Sequence, residues 1–150
     1  MALPKVCGLE TEYGIMVRGA ENNPVSASSM LINAYVAATA RKRGRIGWDF
    51  EDEHPTNDAR GFSLDDSLAP EVETTLVNAV LTNGARYYVD HAHPEISTPE
   101  VTTALEAVIW DRAAEDIVRA SMEHARSLLP DGAEIVVYKN NSDGKGNSYG

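Results

Sequence analysis

Two short stretches, Gly8-Leu9-Glu10-Thr11-Glu12-Tyr13-Gly14 and Arg86-Tyr87-Tyr88-Val89-Asp90, alternate ionisable and apolar side chains one residue at a time. Side chains alternate faces along a strand. In the first stretch Glu10 and Glu12 share one face, and Leu9, Thr11, Tyr13 and Ile15 the other. In the second, Arg86, Tyr88 and Asp90 share a face opposite Ala85, Tyr87 and Val89. Each stretch therefore reads as a strand with an apolar side against a core and an ionisable side left open. Carboxylates, an arginine and a phenol collected on two open faces read as the floor of a site.

The remaining elements follow from turn and cap signals. Residues 5–17 read as one strand, with Gly8 and Gly14 on the carboxylate side. Asn22-Asn23-Pro24 reads as a turn. Ser26 or Ser28 then caps a helix to about Arg43, stopped by Gly44, with Met30, Leu31, Ala34, Tyr35 and Ala38 as its apolar stripe. Residues 44–73 hold Trp48, Phe50 and Phe62 without a sustained period, and read as a long mobile loop. Residues 75–82 and 85–91 flank Asn83-Gly84, a type I′ hairpin signal. A capping box, Thr103-x-x-Glu106, opens a helix to Leu129, with Leu105, Ile109, Ile117, Ala120 and Leu128 facing the core. Residues 133–138 form a last strand, and a Gly/Asn-rich loop over 140–150 could cradle an anion. The order β-α-loop-β-hairpin-α-β, with mostly antiparallel strands and helices on one face, is α+β. Because nothing closes the fold after that loop, the chain reads as an N-terminal piece of a larger domain.

A chain of 150 residues suffices for one domain with a core. Its 23 acidic and 13 basic residues, a formal charge of −10, argue against nucleic-acid or membrane-surface partners. Cys7 is the single cysteine, so no internal disulfide forms; its place beside Val6 predicts a buried, inert thiol. No apolar run reaches the ~20 residues of a membrane span, and a cytoplasmic location fits best.

The open faces define the chemistry. Hard divalent cations take oxygen ligands, and Mg²⁺ pairs one or two carboxylates with nucleotide phosphates. Glu10, Glu12 and Glu95 supply carboxylates, and Tyr88 a phenolic oxygen. The planar fork of Arg86 suits a phosphate, and Asp90 can serve as base or nucleophile. A rival reading gives Zn²⁺ to His91, His93 and Glu95, although Pro94 interrupts that spacing.

The motifs Gly8-Leu-Glu-Thr-Glu-Tyr-Gly-Ile15, Leu81-Thr-Asn-Gly-Ala-Arg-Tyr-Tyr-Val-Asp-His-Ala-His-Pro-Glu95, Ala107-Val-Ile-Trp-Asp111 and Tyr138-Lys-Asn-Asn-x-Asp-Gly-Lys-Gly-x-Ser-Tyr-Gly150 resemble, in this order, the Pup ligase/deamidase family. Its members are relatives of glutamine synthetase that act on the prokaryotic ubiquitin-like protein Pup. Asp90-His-Ala-His-Pro-Glu and the long insertion around Trp48 to Phe62 resemble the deamidase/depupylase branch more than the ligase branch. The resemblance implies a curved, glutamine synthetase-like sheet that holds ATP and Mg²⁺. It implies metal ligands at Glu10, Tyr88 and Glu95, ATP contacts at Arg86 and Thr98, and a catalytic carboxylate at Asp90. Glu12 and Glu100 follow as supporting carboxylates. The implied reaction is hydrolysis of an amide at Pup's C-terminal residue, with Pup and pupylated proteins as partners and proteasomal degradation as the setting. Family members run to several hundred residues. This chain alone is therefore expected to be inactive, needing the missing C-terminal region or a complementing polypeptide. The alternatives are a Pup–protein ligase and a non-catalytic fragment.

Overall fold

The computed structural model describes residues 5–39, 78–90 and 92–139. Six strands and two long helices lie within them. The strands are β1 (Glu10–Glu12), β2 (Gly14–Arg18), β3 (Asn78–Val80), β4 (Arg86–Asp90), β5 (His93–Ser97) and β6 (Glu134–Tyr138). The helices are α1 (Pro24–Thr39) and α2 (Ala104–Ala125), and a short 3₁₀ turn, Arg126–Leu128, ends α2. The 44–73 insertion, the 140–150 loop, the far end of the first helix and His91 lie outside the described residues.

One antiparallel sheet runs β1-β5-β4-β3, and a second pairs β2 with β6. The expected strand over 5–17 is thus two strands in two sheets, divided at Tyr13. Pro94 supplies a physical reason. Glu12 pairs with Glu95, and the next rung is Tyr13 N–H donating to the Pro94 carbonyl at 2.9 Å. Pro94 has no N–H to return that bond, so β1 ends there and the chain leaves to pair with β6.

β5 itself went unread in the sequence, because a proline ordinarily confines a run to a sheet edge. Here β5 is central, between β1 and β4. Pro94 is tolerated because β1 stops at that rung. Cys7 also departs from expectation. It precedes β1, bridges Val101 through backbone bonds of 2.8 Å in both directions, and is exposed rather than buried.

The β3–β4 hairpin forms where Asn83-Gly84 predicts it, with a different turn. Leu81 N–H donates to Ala85 O at 2.8 Å, Gly84 N–H donates to Leu81 O at 3.0 Å, and only Gly84 has positive φ, +88°. A type I′ turn needs two such residues; this is a three-residue loop closed by a glycine bulge. Asn83 contributes through its side chain, which accepts from Ala85 N–H at 3.0 Å.

α1 starts one turn earlier than the serines suggest. Asn23 Oδ1 accepts from Ser26 N–H at 3.1 Å and Pro24 occupies the first helical position. This is an Asn cap followed by a proline whose missing N–H costs nothing there. The buried face is Ala27, Ser28, Leu31, Ile32 and Ala34, whereas Ala38 is exposed. Thr103 caps α2 as expected: its Oγ1 accepts from Glu106 N–H at 3.2 Å, and the Glu106 carboxylate meets the Thr103 hydroxyl, which donates to it at 2.8 Å.

The α2 core face is only partly the expected one. Ala107, Ala114, Val118, Ser121 and Ala125 are buried and Ile117 packs against the core cluster, while Leu105, Ile109 and Leu128 are 70%, 53% and 56% exposed. The small-residue face lets α1 and α2 approach closely, so size, not hydropathy alone, selects what turns inward. Together the helices cover one face of the four-stranded sheet: Ile32, Ala114 and Val118 pack on Tyr87, Val89 and Ile96. Ile15, Leu31, Ala125 and Ile135 form a second cluster under β2 and β6.

Candidate active site on the open sheet face

Strand register assembles the site. Across β1, β5 and β4, one row reads Glu10, Ser97, Arg86 and the next parallel row reads Glu12, Glu95, Tyr88. Asn78 of β3 extends the second row, and a third pairs His93 with Asp90. Residues directly opposite one another share a face, so all of these stand on the side away from the helices. The intervening row of Thr11, Ile96 and Tyr87 faces the core side. The alternation in the two stretches therefore marks the two faces correctly.

Several polar contacts hold the floor. Ser97 Oγ donates to Glu10 Oε1 at 2.9 Å and lies 3.3 Å from the Tyr88 hydroxyl. Arg86 Nε donates to Asn78 Oδ1 at 3.0 Å, and its guanidinium carbon sits 3.9 Å from the centre of the Tyr88 ring. A guanidinium stacked on a ring face is oriented before any ligand arrives. Thr98 lies just past β5. Its N–H donates to Leu9 O at 2.8 Å, and its hydroxyl accepts from Leu9 N–H at 3.0 Å. That hydroxyl retains a hydrogen to donate.

Carboxylates of Glu12, Asp90 and Glu95 bring one oxygen each within 4.8 Å of the others. Glu95 is common to this carboxylate group and the expected ligand set; Glu12 and Asp90 complete the group, while Glu10 is exposed and accepts from Ser97. Glu100 is exposed beyond the end of β5. Burial pushes the Glu95 carboxyl up to about 7; the Tyr88 hydroxyl bond opposes this, and the charges of Asp90, Glu10 and Glu12 add to it. Burial likewise raises the Tyr88 phenol, with its bond to Glu95 acting in the same direction.

Among the described residues the gathered donors are all oxygens, the set that suits a hard divalent cation. His93 is buried beside Asp90 in the register. Ser97 and Asn78 are the participants the sequence reading passed over. Ser97 could have been found two residues after Glu95, once β5 was recognised as a strand.

These features define a class before they define a family: an α+β fold with antiparallel sheets, both helices on one side and an acidic, arginine-bearing face on the other. The same fold occurs in the crystal structure of the complex between Prokaryotic Ubiquitin-like Protein Pup and its Ligase PafA. That likeness has a TM-score of 0.63 at 21% identity, covering 97% of this chain and 24% of that one. The family model described as Pup-ligase protein matches residues 5–150, and the chain belongs to that family.

A depupylase of Acidothermus cellulolyticus is 49% identical over 97% of this chain and 30% of its own length. A Pup deamidase/depupylase of Mycobacterium tuberculosis is 46% identical over 99% of the chain and 30% of its own. A Pup–protein ligase of Bifidobacterium longum is 30% identical over 97% of the chain. The chain thus spans about 30% of the length of the depupylases it resembles. No described helix is long and apolar enough to cross a membrane.

Proposed function

We propose that this chain is the N-terminal part of the catalytic domain of an ATP- and Mg²⁺-dependent amide hydrolase acting on the C-terminal residue of Pup. Its reactions are deamidation of a terminal Gln to Glu and cleavage of the isopeptide bond between Pup and a substrate lysine, in the cytoplasm and in the service of proteasomal degradation. The observation that carries the reading is Asp90. It ends β4 on the open face, within the carboxylate cluster and on the same face as Arg86. Identity of 46–49% over nearly the whole chain to proteins named depupylase, against 30% over that span for one ligase and 42–43% over half of the chain for others, supports the hydrolytic branch.

In this reading Asp90 either attacks the amide carbonyl carbon, giving an acyl-aspartate that water then hydrolyses, or takes a proton from the attacking water; water supplies the proton that the leaving nitrogen takes up. The nitrogen leaves as ammonia or as the lysine amine. The oxygen-only donor set, and a Glu95 carboxyl raised by burial and further by neighbouring carboxylates, fit a bound divalent cation. Glu10, Tyr88 and Glu95 would hold Mg²⁺, with Glu12 beside them, and Arg86 and Thr98 would contact ATP. The metal would supply charge neutralisation and phosphate anchoring. Turnover is assigned to the full-length enzyme, or to this chain with a complementing polypeptide.

The test is ammonia release from Gln-ended Pup by the full-length enzyme. Release that requires Asp90 supports the proposal. Absence of release, with Pup conjugation to lysine instead, would establish the ligase reading.

A further inference from the structure

We propose that Ser28 is a positioning residue for Asp90, acting through the strained turn that joins β4 to β5. The inference rests on the reading of Asp90 as the catalytic carboxylate. Asp90 faces His93 in the register, so only His91 and Ala92 separate the strands. Ala92 has φ +73°, the one non-glycine positive φ among the described residues. An L side chain is disfavoured in that region, and such conformations persist only where their surroundings impose them.

The local sequence does not encode this turn. Positive φ favours Gly, and after it Asn or Asp, and alanine is none of these. The support comes from 64 residues away. Ser28 Oγ donates to the Ala92 carbonyl at 2.7 Å, and Ser28 is 0% exposed in the first half of α1. A serine within a helix ordinarily turns its hydroxyl to its own backbone four residues back; this one is committed to the turn. α1 packs on the core side of the sheet, with Ile32 against Tyr87 and Ile96. The clamp therefore pulls from behind and leaves the carboxylate face open.

Losing the clamp releases the residue two positions after Asp90. A displacement of about 1 Å at a reacting group can cost about 10²-fold in rate. In the full-length enzyme, Ser28→Ala should lower kcat for ammonia release from Gln-ended Pup by roughly 10- to 100-fold with KM little changed. Ser28→Cys, a weaker donor of similar shape, should fall between. Glycine adopts positive φ freely, so Ala92→Gly should restore most of the kcat lost by Ser28→Ala, to within about threefold of wild type. Amide exchange at Ala92 and His93 should quicken in Ser28→Ala.

Asp90→Asn, measured alongside, separates the two levels of the argument. If it is inactive while Ser28→Ala and Ser28→Cys turn over normally, the positioning role is wrong and the Asp90 assignment stands. A loss in Ser28→Ala that Ala92→Gly does not relieve means the serine serves helix packing alone, and also overturns the role. Normal turnover by Asp90→Asn removes the Asp90 reading and the positioning role with it.

Discussion

Glu95→Gln should make the protein more stable and less active, and the gain should depend on pH. Glu95 is 5% exposed among Glu12, Asp90 and Glu10, and its carboxyl is raised from 4.5 to about 7. A folded-state value above the unfolded one means that the stability this group contributes is fully present below 4.5 and is lost as pH rises through about 7. Taken whole, the shift corresponds to roughly 3 kcal/mol above pH 7. Relaxation and water penetration around the carboxyl reduce this, and roughly 1–2 kcal/mol is the working figure. Glutamine keeps an oxygen to accept from Tyr88 and carries no charge to bury. For a chain of this length each 1 kcal/mol is worth about 3–4 °C in Tm. Glu95→Gln should thus melt about 3–8 °C above wild type at pH 8 in chelator and within about 1 °C of it at pH 4. The check is thermal unfolding of both proteins at pH 4, 5, 6, 7 and 8. A Tm difference that stays constant over that range would falsify the argument, because it would mean that ionised Glu95 costs the fold nothing.

Asp90→Asn should lower amide hydrolysis at least ~10²-fold in the full-length enzyme while ATP binding and melting stay near wild type. Glu10→Ala and Glu95→Ala should each weaken ATP binding in the presence of Mg²⁺ and change it little in chelator; nucleotide titrations with wild-type affinities in both conditions would leave these carboxylates without a metal role. Gly19→Ala should destabilise by roughly 2 kcal/mol or more, since φ is +78° and a Cβ would sit 2.5 Å from the Gly132 carbonyl oxygen. Gly132→Ala, at φ +81° with nothing within 4 Å, should cost only about 1 kcal/mol. Equal losses in denaturant unfolding of the two glycine variants would contradict the steric account.

What was legible in the sequence was parity. Alternation within 8–14 and 86–90 separated the core face from the open face, and the register then placed Glu10, Glu12, Arg86, Tyr88 and Asp90 on one side. Local cap and turn chemistry also read well where it was strong, as at Thr103 and Glu106. The misses were non-local. β5 looked unlike a central strand because Pro94 lacks an N–H, and only the end of β1 at that rung makes it acceptable there. The α2 face differs from expectation because Leu105 and Ile109 outweigh alanines in hydropathy, whereas Ala114, Val118 and Ala125 are the residues buried with α1 side chains. The carboxylate cluster required knowing which strands are neighbours, since Glu12 and Glu95 meet only across the β1–β5 pairing.

That pairing links fold to chemistry through one residue. Because Pro94 ends the β1 ladder, Glu12 sits on the last full rung, directly opposite Glu95, with Tyr88 across the next strand. The chain then crosses at Tyr13 to the second sheet, where Ile15 joins the cluster under β2 and β6. A strand continuing through 13–17 along β5 would have carried residues past the His93 and Asp90 row. Its early end leaves Asp90 at the sheet's margin, with one oxygen within 4.8 Å of those of Glu12 and Glu95. The proline that hid the strand in the sequence is thus what opens the end of the sheet beside the carboxylate proposed to react.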